Sequence, residues 1–588
     1  MHERASFPPP TSISRTRARP RPSSAVDKIT VNMNRRSFLL TSSAAAGAAV
    51  APAESRGARL PDILRAPDAV AVYTENARVV LKRNGTRWTA ASIEVVTEPR
   101  TSPQGGELPI TLSAPHVAVT RIGVRWNGAV PQSWRFLGDH WERSYGDLEW
   151  RGIVPHRLMP WYFLASNGRQ TEGCGVKTGC ASIACWQVDS AGITLWLDVA
   201  NGGAGVELGD RKLEVATVVV HSTVPGNTPL SAARGLCRRM CAKPRLPSAP
   251  VYGGNNWYYT YGNNLSAEAL LHDSELMAEL APAGPNRPFM VLDMGWEPSP
   301  EGAGPTERGN ARFPDMPGMV AAMKQRGVRP GVWIRPLLSV ASLHQSWLLQ
   351  GQQAGGGVKP PFVVLDPSVP EALAYVEQRV RGLNEWGFDL IKHDYSTFDI
   401  TGRWGFQMGP ELTAPGWHFS DRGKTTAEIV SALYQAIRRG ARESQLIGCN
   451  TIGHLGAGLF EMQRIGDDTS GREWPRTRKM GVNTLAFRLA QHNTFFAADA
   501  DCVPVTQAIP WDLTRQWLDL VTRSGTPLFV SADPAVIGKR ERDALKAAFA
   551  LAARPQHGLE PLDWTSTTAP EHWGGGGMVD YHWYNDEV

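Results

Sequence analysis

Two clusters of charged side chains follow apolar segments that read as short buried strands. The first is Lys392, His393 and Asp394, at the end of the segment FDLIKHDY (388–395). Because residues two apart on a strand face the same way, Lys392 and Asp394 should lie side by side. A neighbouring ammonium lowers a carboxylate's pKa and keeps it ionised, as a nucleophile requires. The alternative is a structural Lys–Asp pair at the rim of the fold.

The second cluster is Arg464, Asp467 and Asp468, at the end of FEMQRIGDD (460–468). Cleavage of a glycosidic bond needs two carboxyl groups that flank it. One carboxylate from each cluster could form such a pair if the two strands end at the same side of one sheet. The alternative is that Asp467 and Asp468 cap the following helix. The presence of both clusters at strand ends favours the catalytic interpretation.

Three other strand-like segments end in residues that suit sugar binding. Aromatic rings stack on the C–H faces of a sugar, and charged groups bind its hydroxyls. With Lys392 and Arg464, these residues predict a carbohydrate site at one face. The 21 tryptophans of the chain fit such a site, or the cores of large β-domains. The residues concerned are Trp257 and Tyr258 in segment 253–259, Asp293 in segment 289–296, and Trp333 in segment 329–336.

The elements that position these residues alternate between apolar runs and helical patterns. Eight parallel strands with crossover helices in about 300 residues predict a TIM barrel over 250–545. In that fold the carboxyl ends of the strands carry the active site. The predicted strand segments are 253–259, 289–296, 329–336, 388–395, 446–450, 460–468, 493–502 and 526–533.

The sequence on either side of the barrel predicts a multidomain chain. Residues 60–245 alternate in polarity and are broken by Gly, Asn and Pro turns, which predicts an all-β sandwich. A Pro-punctuated linker over 241–250 separates it from the barrel. The segment 546–588 has one more helical pattern, then Gly/Trp/Asp-rich sequence. We expect the start of a small C-terminal β-domain there, which a truncation could leave incomplete.

The N-terminus differs in composition from the rest. Residues 1–56 contain nine Lys/Arg and three Asp/Glu, whereas the remainder has 52 basic and 53 acidic residues. Arg35 and Arg36 precede an Ala-rich run, the layout of a twin-arginine export signal behind a disordered N-terminus. Met33 is an alternative start. We therefore expect a periplasmic or extracellular protein without a membrane span, and the near-neutral body gives no electrostatic case for nucleic acid.

The seven cysteines give no sign of a metal site. They include a cluster at Cys174, Cys180 and Cys185 and a pair at Cys237 and Cys241, and no histidines stand at zinc-ligand spacing. An odd number leaves at least one thiol unpaired within the chain. Buried free cysteines are the simplest expectation, and disulfide pairing stays open.

The order of the motifs is that of a known family. The pattern W-Y, D-x-G-W, R-F-P-x-M, P-G-x-W, K-x-D-Y, G-C, R-I-G-x-D-T and D-x-D-C over about 250–505 resembles the α-galactosidases of glycoside hydrolase family 36 and their family 27 relatives. An upstream β-sandwich extends the resemblance. It implies a retaining α-glycosidase that needs no metal or organic cofactor and acts on α-linked oligosaccharides or glycoconjugates. It also leaves a homo-oligomer open.

The resemblance implies a role for each matching residue. Asp394 matches the nucleophile, and Asp468 matches the acid/base because it stands four residues after Arg464; Asp467 is the weaker candidate. From the sandwich, the stretch 138–152 is expected to bring one tryptophan over the pocket. The remaining matches are Lys392, Arg464 and Asp293 at sugar hydroxyls, Trp257, Tyr258, Trp333 and Tyr395 at the pocket wall, Cys449 beside the 2-hydroxyl, and Trp141 or Trp150 as the sandwich tryptophan.

One position departs from the family pattern. The family has two adjacent aspartates on the second barrel strand, whereas this chain has Asp293-Met294. Loss of a charge-assisted hydrogen bond to a sugar hydroxyl costs about 1.5–3 kcal/mol, enough to alter sugar preference. Galactose is the leading expectation. Another α-linked sugar, as in an α-N-acetylgalactosaminidase, is the alternative.

Retention of configuration places two requirements on the site. The carboxyl groups of Asp394 and Asp468 should lie roughly 5–5.5 Å apart. Asp468 must carry a proton, so the Asp394 charge should raise its pKa, with Arg464 opposing. Two other functions stay open: a transglycosylase of the raffinose-synthase type, and a carbohydrate-binding protein without catalysis.

Overall fold

The computed structural model describes residues 59–103, 105–222, 227–263, 265–340, 343–351, 358–556, 558–575 and 577–584. The chain divides into a unit of residues 1–57 and a unit of residues 58–588, and every described residue belongs to the second. The predicted export signal lies outside the described residues. Within the described ranges, no helix has both the length and the apolar character needed to cross a membrane.

The first half of the described chain is β-rich, as predicted. Its strands form two antiparallel sheets, one in the order β10-β13-β14-β8-β1-β2 and one in the order β3-β4-β5-β7-β15-β12-β11-β9, with β6 beside β7. One helix, α1 (Pro229–Met240), follows the last strand. The strands are β1 (Ala69–Tyr73), β2 (Arg78–Val80), β3 (Lys82–Asn84), β4 (Arg87–Ala90), β5 (Ile93–Thr97), β6 (Arg100–Ser102), β7 (Gly105–Ser113), β8 (Arg121–Asn127), β9 (Arg135–Gly138), β10 (Met159–Pro160), β11 (Tyr162–Ser166), β12 (Thr171–Val176), β13 (Ile183–Asp189), β14 (Gly192–Asp198) and β15 (Leu213–Ser222).

Alternation of side chains explains how these sheets bury their apolar residues. In β14 the side chains of Ile193, Leu195 and Leu197 are fully buried, while those between them are less so. The ring of Trp126 on β8 lies 6.3 Å from that of Trp186 on β13, and both are fully buried. Much of the tryptophan excess is therefore core packing of the β-rich half.

The second half contains one curled parallel sheet of nine strands, in the order β24-β23-β22-β21-β18-β17-β16-β26-β25. Each of the eight predicted barrel segments overlaps one of its strands, and β25 is a ninth strand that the sequence did not predict. The edge strands β24 and β25 follow each other along the chain, so the sheet curls round as a TIM-like domain. The strands are β16 (Tyr252–Asn255), β17 (Phe289–Leu292), β18 (Arg329–Ile334), β21 (Leu390–His393), β22 (Gln445–Gly448), β23 (Met462–Arg464), β24 (Ala497–Asp499), β25 (Val503–Val505) and β26 (Leu528–Ala532), and the separate hairpin of β19 (Leu338–Val340) and β20 (Phe362–Val364) lies between β18 and β21.

Helices connect the strands of this sheet. In α7, the Thr425 hydroxyl accepts from the Glu428 N–H (3.1 Å) while the Glu428 carboxylate accepts from the Thr425 N–H (2.9 Å), a capping box that fixes where the helix begins. The helices are α2 (Trp257–Thr260), α3 (Ala267–Leu280), α4 (Met316–Gln325), α5 (Pro370–Glu385), α6 (Ser396–Thr401), α7 (Thr426–Ala441), α8 (Gly453–Gly456), α9 (Trp474–Thr477), α10 (Thr484–Arg488), α11 (Trp511–Ser524) and α12 (Lys539–Ala552).

A small antiparallel sheet follows α12. It consists of β27 (Glu560–Pro561), β28 (His572–Gly574) and β29 (Met578–Asp580). The Trp564 ring packs edge to face on Trp150 of the β-rich half, with ring centroids 5.5 Å apart. The Asn483 amide donates to the Thr568 carbonyl (2.8 Å). The predicted C-terminal β-structure is thus packed against both other parts of the unit.

His393, on β21, gives the fold a pH-dependent element. Its side chain is fully buried between Tyr434 and Phe460, and neither ring nitrogen has a hydrogen-bond partner among the described residues. Burial lowers its pKa to about 4, from 6.5. The folded state therefore resists protonation, and the stability contributed by the neutral ring is complete above pH 6.5 and lost as the pH falls towards 4.

We expect His393→Leu to remove this part of the pH dependence. On acidification from pH 7 to pH 4.5, the wild-type protein should lose more stability than the variant, by roughly 2–3 kcal/mol. Thermal unfolding of both proteins across this range measures the difference. Parallel curves would show that His393 protonates freely in the folded state.

Candidate active site

Asp394 follows β21 directly and is only 8% exposed. Its Oδ1 accepts from the backbone N–H groups of Tyr395 (2.7 Å) and Asn450 (2.8 Å), and its Oδ2 accepts from the Trp333 indole (3.2 Å). Burial raises its pKa, but the charges of Arg143 and Lys392 outweigh burial and hold the pKa below its ordinary value. The carboxylate is therefore oriented and ionised.

The backbone next to this carboxylate is unusual. Tyr395 has a φ of 63°, in the left-handed region that non-glycine residues seldom occupy. Its ring is held by the Arg335 guanidinium, which lies 4.2 Å from the ring centre and is itself bound to buried Asp399 (2.6 Å). Such a conformation persists only where the surroundings fix it, and here it turns the Tyr395 N–H towards Asp394.

Lys392 lies within β21, two residues before Asp394. Its ammonium donates to Asp293 Oδ2 (2.8 Å), which also accepts from the Asn255 amide (2.7 Å). Burial lowers the pKa of Lys392, but the Asp293 carboxylate outweighs burial and raises it above its ordinary value. The structural Lys–Asp pair therefore exists, but the partner is Asp293 on the neighbouring strand. This leaves Asp394 free of a direct ion pair with Lys392 among the described contacts.

The second cluster surrounds Arg464, at the end of β23. Its guanidinium contacts Asp501 (2.9 Å) and Asp468 (3.1 Å), and its Nη1 lies 3.8 Å from the Cys449 Sγ. Asp501 also accepts from the Tyr258 hydroxyl. Arg464 thus links three predicted site residues. It contacts Cys449 and Asp468 directly, and it reaches Tyr258 through Asp501.

Asp467 and Asp468 have different surroundings. Asp467 is bound by Arg143 (2.8 Å) and Arg476 (2.8 Å), and its side chain is 15% exposed. The Asp468 side chain is 41% exposed. Its Oδ1 contacts Arg464 at hydrogen-bond distance (3.1 Å). The clamped position of Asp467 suits a structural ion pair, whereas Asp468 retains an accessible oxygen.

Arg143 is a residue of the candidate site that the sequence did not indicate. It comes from the β-rich half, is 5% exposed, and lies 2.8 Å from Asp467 and 3.9 Å from Asp468. Its Nη1 is 3.8 Å from Cys449, opposite Arg464. The only signal was its position within the stretch 138–152, which was predicted to reach the pocket through a tryptophan.

The same stretch is built into the rim of the TIM-like domain. Ser144 forms a parallel bridge with Gly466: its N–H donates to the Ile465 carbonyl (2.9 Å), and its carbonyl accepts from the Asp467 N–H (2.8 Å). The Glu142 carboxylate accepts from the Asn450 amide and from the Gly405 N–H (2.8 Å). Asn450 also donates its backbone N–H to Asp394. Glu142 therefore helps to position the candidate nucleophile indirectly, through Asn450.

The predicted aromatic residues are distributed unevenly. Trp333 and Tyr395 contact each other edge to face at 6.2 Å beside Asp394, and the half-buried Trp257 ring packs on Tyr261 at 5.7 Å. Trp141 is 6% exposed, and its carbonyl accepts from the Trp161 indole (3.1 Å). The structure does not bring Trp150 to the carboxylates, because its ring packs on Trp564.

The protonation state of Asp468 differs from the sequence-based expectation. Burial raises its pKa, but the charges of Arg464, Arg143 and Lys392 outweigh burial and lower the pKa to about 2. The sequence argument weighed Arg464 alone against Asp394, and it could not include Arg143 from a distant part of the chain. In this structure Asp468 is therefore ionised at neutral pH.

All seven cysteines are free thiols, and six of them are buried. Burial raises the pKa of Cys449 well above its ordinary value, so it remains a neutral thiol between two arginines. Within the described part of the chain, no group of three or more His, Cys, Asp or Glu side chains could hold a metal ion.

Comparison with solved structures identifies the fold. The chain matches an α-galactosidase from Thermus thermophilus, TtGalA, with a TM-score of 0.59 and 18% identity over 84% of this chain and 97% of that one. It matches the GH36 α-galactosidase AgaA from Geobacillus stearothermophilus with a TM-score of 0.51 and 13% identity, over 82% and 75% of the two chains. An α-galactosidase from Lactobacillus brevis gives 0.51 and 14%, over 82% and 72%.

The chain therefore has the fold of the GH36 α-galactosidases, at an identity too low for fold similarity to fix the activity. No protein-family model matches the chain, and no curated protein does.

Arg143 offers a test of the electrostatics of this site. Its charge lowers the pKa of both Asp394 and Asp468, so Arg143→Met should move both limbs of the kcat/KM profile to higher pH. Arg143→Lys keeps the charge and should move them less. Arg476→Met is the matched control, because Arg476 binds Asp467, whereas the charges that most lower the pKa of Asp468 are those of Arg464, Arg143 and Lys392. Identical profiles for wild type and Arg143→Met would show that the Arg143 charge does not lower the pKa of Asp394 and Asp468.

Proposed function

We propose that this protein is a retaining α-glycosidase, and that its sugar is an α-linked galactose. The observation that carries the proposal is the pairing of an oriented, ionised Asp394 with the accessible Asp468, both within reach of Arg143. The fold shared with solved α-galactosidases supports the same reading. TtGalA has been solved in complex with p-nitrophenyl α-D-galactopyranoside, which makes galactosides the first substrates to test.

The proposed reaction has two displacement steps. Asp394 attacks the anomeric carbon while Asp468 gives its proton to the leaving oxygen, so the glycosidic bond breaks as the aspartyl ester forms. Asp468 then takes a proton from water, which attacks the same carbon and releases Asp394. The hydrogen bonds from Tyr395, Asn450 and Trp333 hold the Asp394 carboxylate in position for both steps.

The first step requires a proton on Asp468, whose lowered pKa favours the ionised form at neutral pH before substrate binds. A bound sugar would cover the exposed part of its side chain, and loss of water raises the pKa of a carboxylate. Sugar hydroxyls would also compete for the hydrogen bonds of Arg464 and Lys392. The proposal therefore includes a rise in the pKa of Asp468 on substrate binding.

The sugar ring would lie between the two carboxylates. Lys392 and Asp293 form the buried end of this site, and Cys449 lies between the arginines where a 2-hydroxyl would face. Met294 stands where the family pattern that the motifs resemble has a second aspartate, and it offers no charged acceptor for a hydroxyl. One alternative is an α-linked sugar with a different C4 or C6 substituent, because Met294 removes a charged acceptor on that side. A second is an α-linked N-acetylgalactosamine, which differs from galactose at C2.

A panel of nitrophenyl glycosides tests the proposal with the full-length protein and an Asp394→Ala control. Release from the α-galactoside that disappears in the control would support both the reaction and the sugar. Activity on a different α-glycoside alone would keep the reaction and revise the sugar, with Met294→Asp as the next variant. Absence of release from every glycoside would contradict a hydrolase and call for acceptor sugars to be tested.

We also infer export by the twin-arginine route, from Arg35, Arg36 and the Ala-rich run that follows them. Fractionation of expressing cells should place the protein outside the cytoplasm. The double variant Arg35→Lys, Arg36→Lys should accumulate inside. Equal distribution of the two proteins would contradict the inference.

A further inference from the structure

The motif D-x-D-C, residues 499–502, has no part in the proposed reaction, yet one of its carboxylates contacts the same arginine as Asp468. Asp501 lies between β24 and β25 and has a φ of 73°, in the left-handed region that aspartate and asparagine adopt more readily than most residues. Its N–H donates to the Asp499 carboxylate (2.9 Å). This turn fixes the position of the Asp501 side chain, which is only 3% exposed.

One oxygen of Asp501 joins separate parts of the site. Its Oδ2 accepts from the Thr469 N–H (2.8 Å), from the Thr469 hydroxyl (3.0 Å) and from the Tyr258 hydroxyl. Thr469 directly follows Asp468 in the chain. Asp501 therefore holds the segment that carries the candidate acid/base, and it ties that segment to Tyr258 on α2.

The same oxygen also competes with Asp468 for a single nitrogen. The Arg464 Nη2 lies 2.9 Å from Asp501 Oδ2 and 3.1 Å from Asp468 Oδ1, and it donates to the Gly466 carbonyl at 3.3 Å. This nitrogen carries two N–H groups, so three acceptors share two donors. Burial lowers the pKa of Arg464, but the acidic groups around it, with Asp501 the largest, outweigh burial and raise the pKa well above its ordinary value.

This competition bears on the proton that the first step requires. A protonated Asp468 no longer neutralises Arg464, whose guanidinium is 1% exposed. A buried charge is strongly destabilised when its partner is lost. Asp501 is buried and bound by other donors, so it remains a partner for Arg464 when Asp468 takes up a proton. The two carboxylates thus suit different tasks: one keeps Arg464 paired, and the exposed one can change its charge.

We propose that Asp501 is a positioning residue of the reaction, which holds Arg464 and Thr469 so that Asp468 can bind and release its proton while the Arg464 charge stays paired. This inference rests on the proposed function and adds no step to it. The charged and titratable groups that face Asp468 from the packed elements are Arg143 from the β-rich half, Lys392, Asp394 and Tyr395 at the end of β21, Tyr258 on α2, and Arg464 on β23.

The variant Asp501→Asn tests the role of the charge. Asparagine suits the left-handed backbone and can still accept from Thr469, but it cannot neutralise Arg464. Asp468 is then the only carboxylate at contact distance from Arg464 among the described residues, so its ionised form is favoured. The basic limb of kcat for raffinose should therefore move about one unit to lower pH.

A comparison of two leaving groups measures the same effect at one pH. The ratio of kcat/KM for raffinose to kcat/KM for 2,4-dinitrophenyl α-galactoside should fall about tenfold in Asp501→Asn, because dinitrophenolate departs without a proton. Melting temperatures report the folding of each protein. Asp501→Gly also suits the left-handed backbone, and it gives the same comparison if Asp501→Asn does not fold.

Two further proteins separate this role from a merely structural one. In an Asp468→Asn background, Asp501→Asn should leave the ratio unchanged, because no proton remains to be held. Asp139→Asn is the matched control, since the Asp139 side chain is equally buried (3% exposed) and pairs with Arg488 at 2.8 Å. It should lower the melting temperature and keep the wild-type ratio and basic limb.

The outcomes distinguish the positioning role from the proposed function. A folded Asp501→Asn protein with the wild-type ratio and basic limb would overturn the role of Asp501, while wild-type hydrolysis of both substrates upheld the proposed function. An equal fall of the ratio with and without Asp468 would also overturn it. A wild-type protein inactive on both substrates would overturn the proposed function, and the role of Asp501 with it.

Discussion

Replacing Asp394 with alanine should reduce kcat on an α-galactoside by roughly 10⁴–10⁶-fold, the range expected when a covalent nucleophile is lost. The physical reason is that its carboxylate is both ionised and held by three donors, from Tyr395, Asn450 and Trp333. Water in the space left by the side chain cannot reproduce that orientation. Steady-state kinetics on the nitrophenyl α-galactoside measures the effect, with the folded fraction checked by thermal unfolding.

Two further measurements make this prediction specific to a nucleophile. Added azide is a small anion that could occupy the space of the missing carboxylate, so it should restore part of the activity and form a glycosyl azide of inverted configuration. Asp389→Ala is the control, since Asp389 precedes the same strand, is partly exposed, and pairs with Lys324 at 3.3 Å. It should change kcat by less than about twofold, as surface substitutions do. More than a tenth of wild-type activity in Asp394→Ala would contradict the assignment.

Replacing Asp468 with asparagine should reduce kcat on an oligosaccharide by about 10²–10⁴-fold, the usual contribution of general acid–base catalysis. The loss should be smaller for a 2,4-dinitrophenyl glycoside, because that leaving group departs without a proton. Asparagine keeps the size of the side chain and its contact to Arg464, so a loss reports on the missing proton donor. Removal of the ionisation should also abolish the basic limb of the kcat profile.

Asp467→Asn is the matched control for this second prediction. Asp467 is adjacent in sequence, but its carboxylate is bound by Arg143 and Arg476. Its loss should lower the melting temperature. The ratio of oligosaccharide to dinitrophenyl activity should stay near its wild-type value. If Asp467→Asn instead shows the leaving-group dependence and Asp468→Asn does not, the acid/base role belongs to Asp467.

Several features of this protein were readable from local sequence. The eight apolar segments of the second half were placed correctly because each combines a short buried run with a following helical pattern, and both are local signals. The placement of Lys392 and Asp394 on one strand face is a prediction from the period of a strand. Asp394, Arg464 and Asp468 were proposed because strand ends of a parallel sheet meet at one edge, and the structure places Asp394 directly after β21 and Arg464 at the end of β23.

The tertiary structure decided what those residues touch. The sequence paired Lys392 with Asp394, whereas Lys392 binds Asp293, 99 positions away. The stretch 138–152, from which a tryptophan is predicted, also contributes Arg143, which contacts Asp467 and Asp468. The Arg143 contact to Cys449 joins residues 306 positions apart. No periodicity within either segment encodes such a contact, because it depends on how two separate folded parts pack.

The pKa of Asp468 also depends partly on local sequence and partly on tertiary structure. Sequence spacing correctly put Arg464 beside it, four positions away. Its low pKa, however, depends on the sum of three charges, and Arg143 and Lys392 come from other segments. Electrostatic energies add over all nearby groups at once, so the pKa is a property of the assembled site. The sequence by itself indicated which side chains stand at the strand ends. Their charges and partners were decided by tertiary structure, since neighbouring strands bring Asp293 to Lys392 and the packing of the β-rich half brings Arg143 to Asp467 and Asp468.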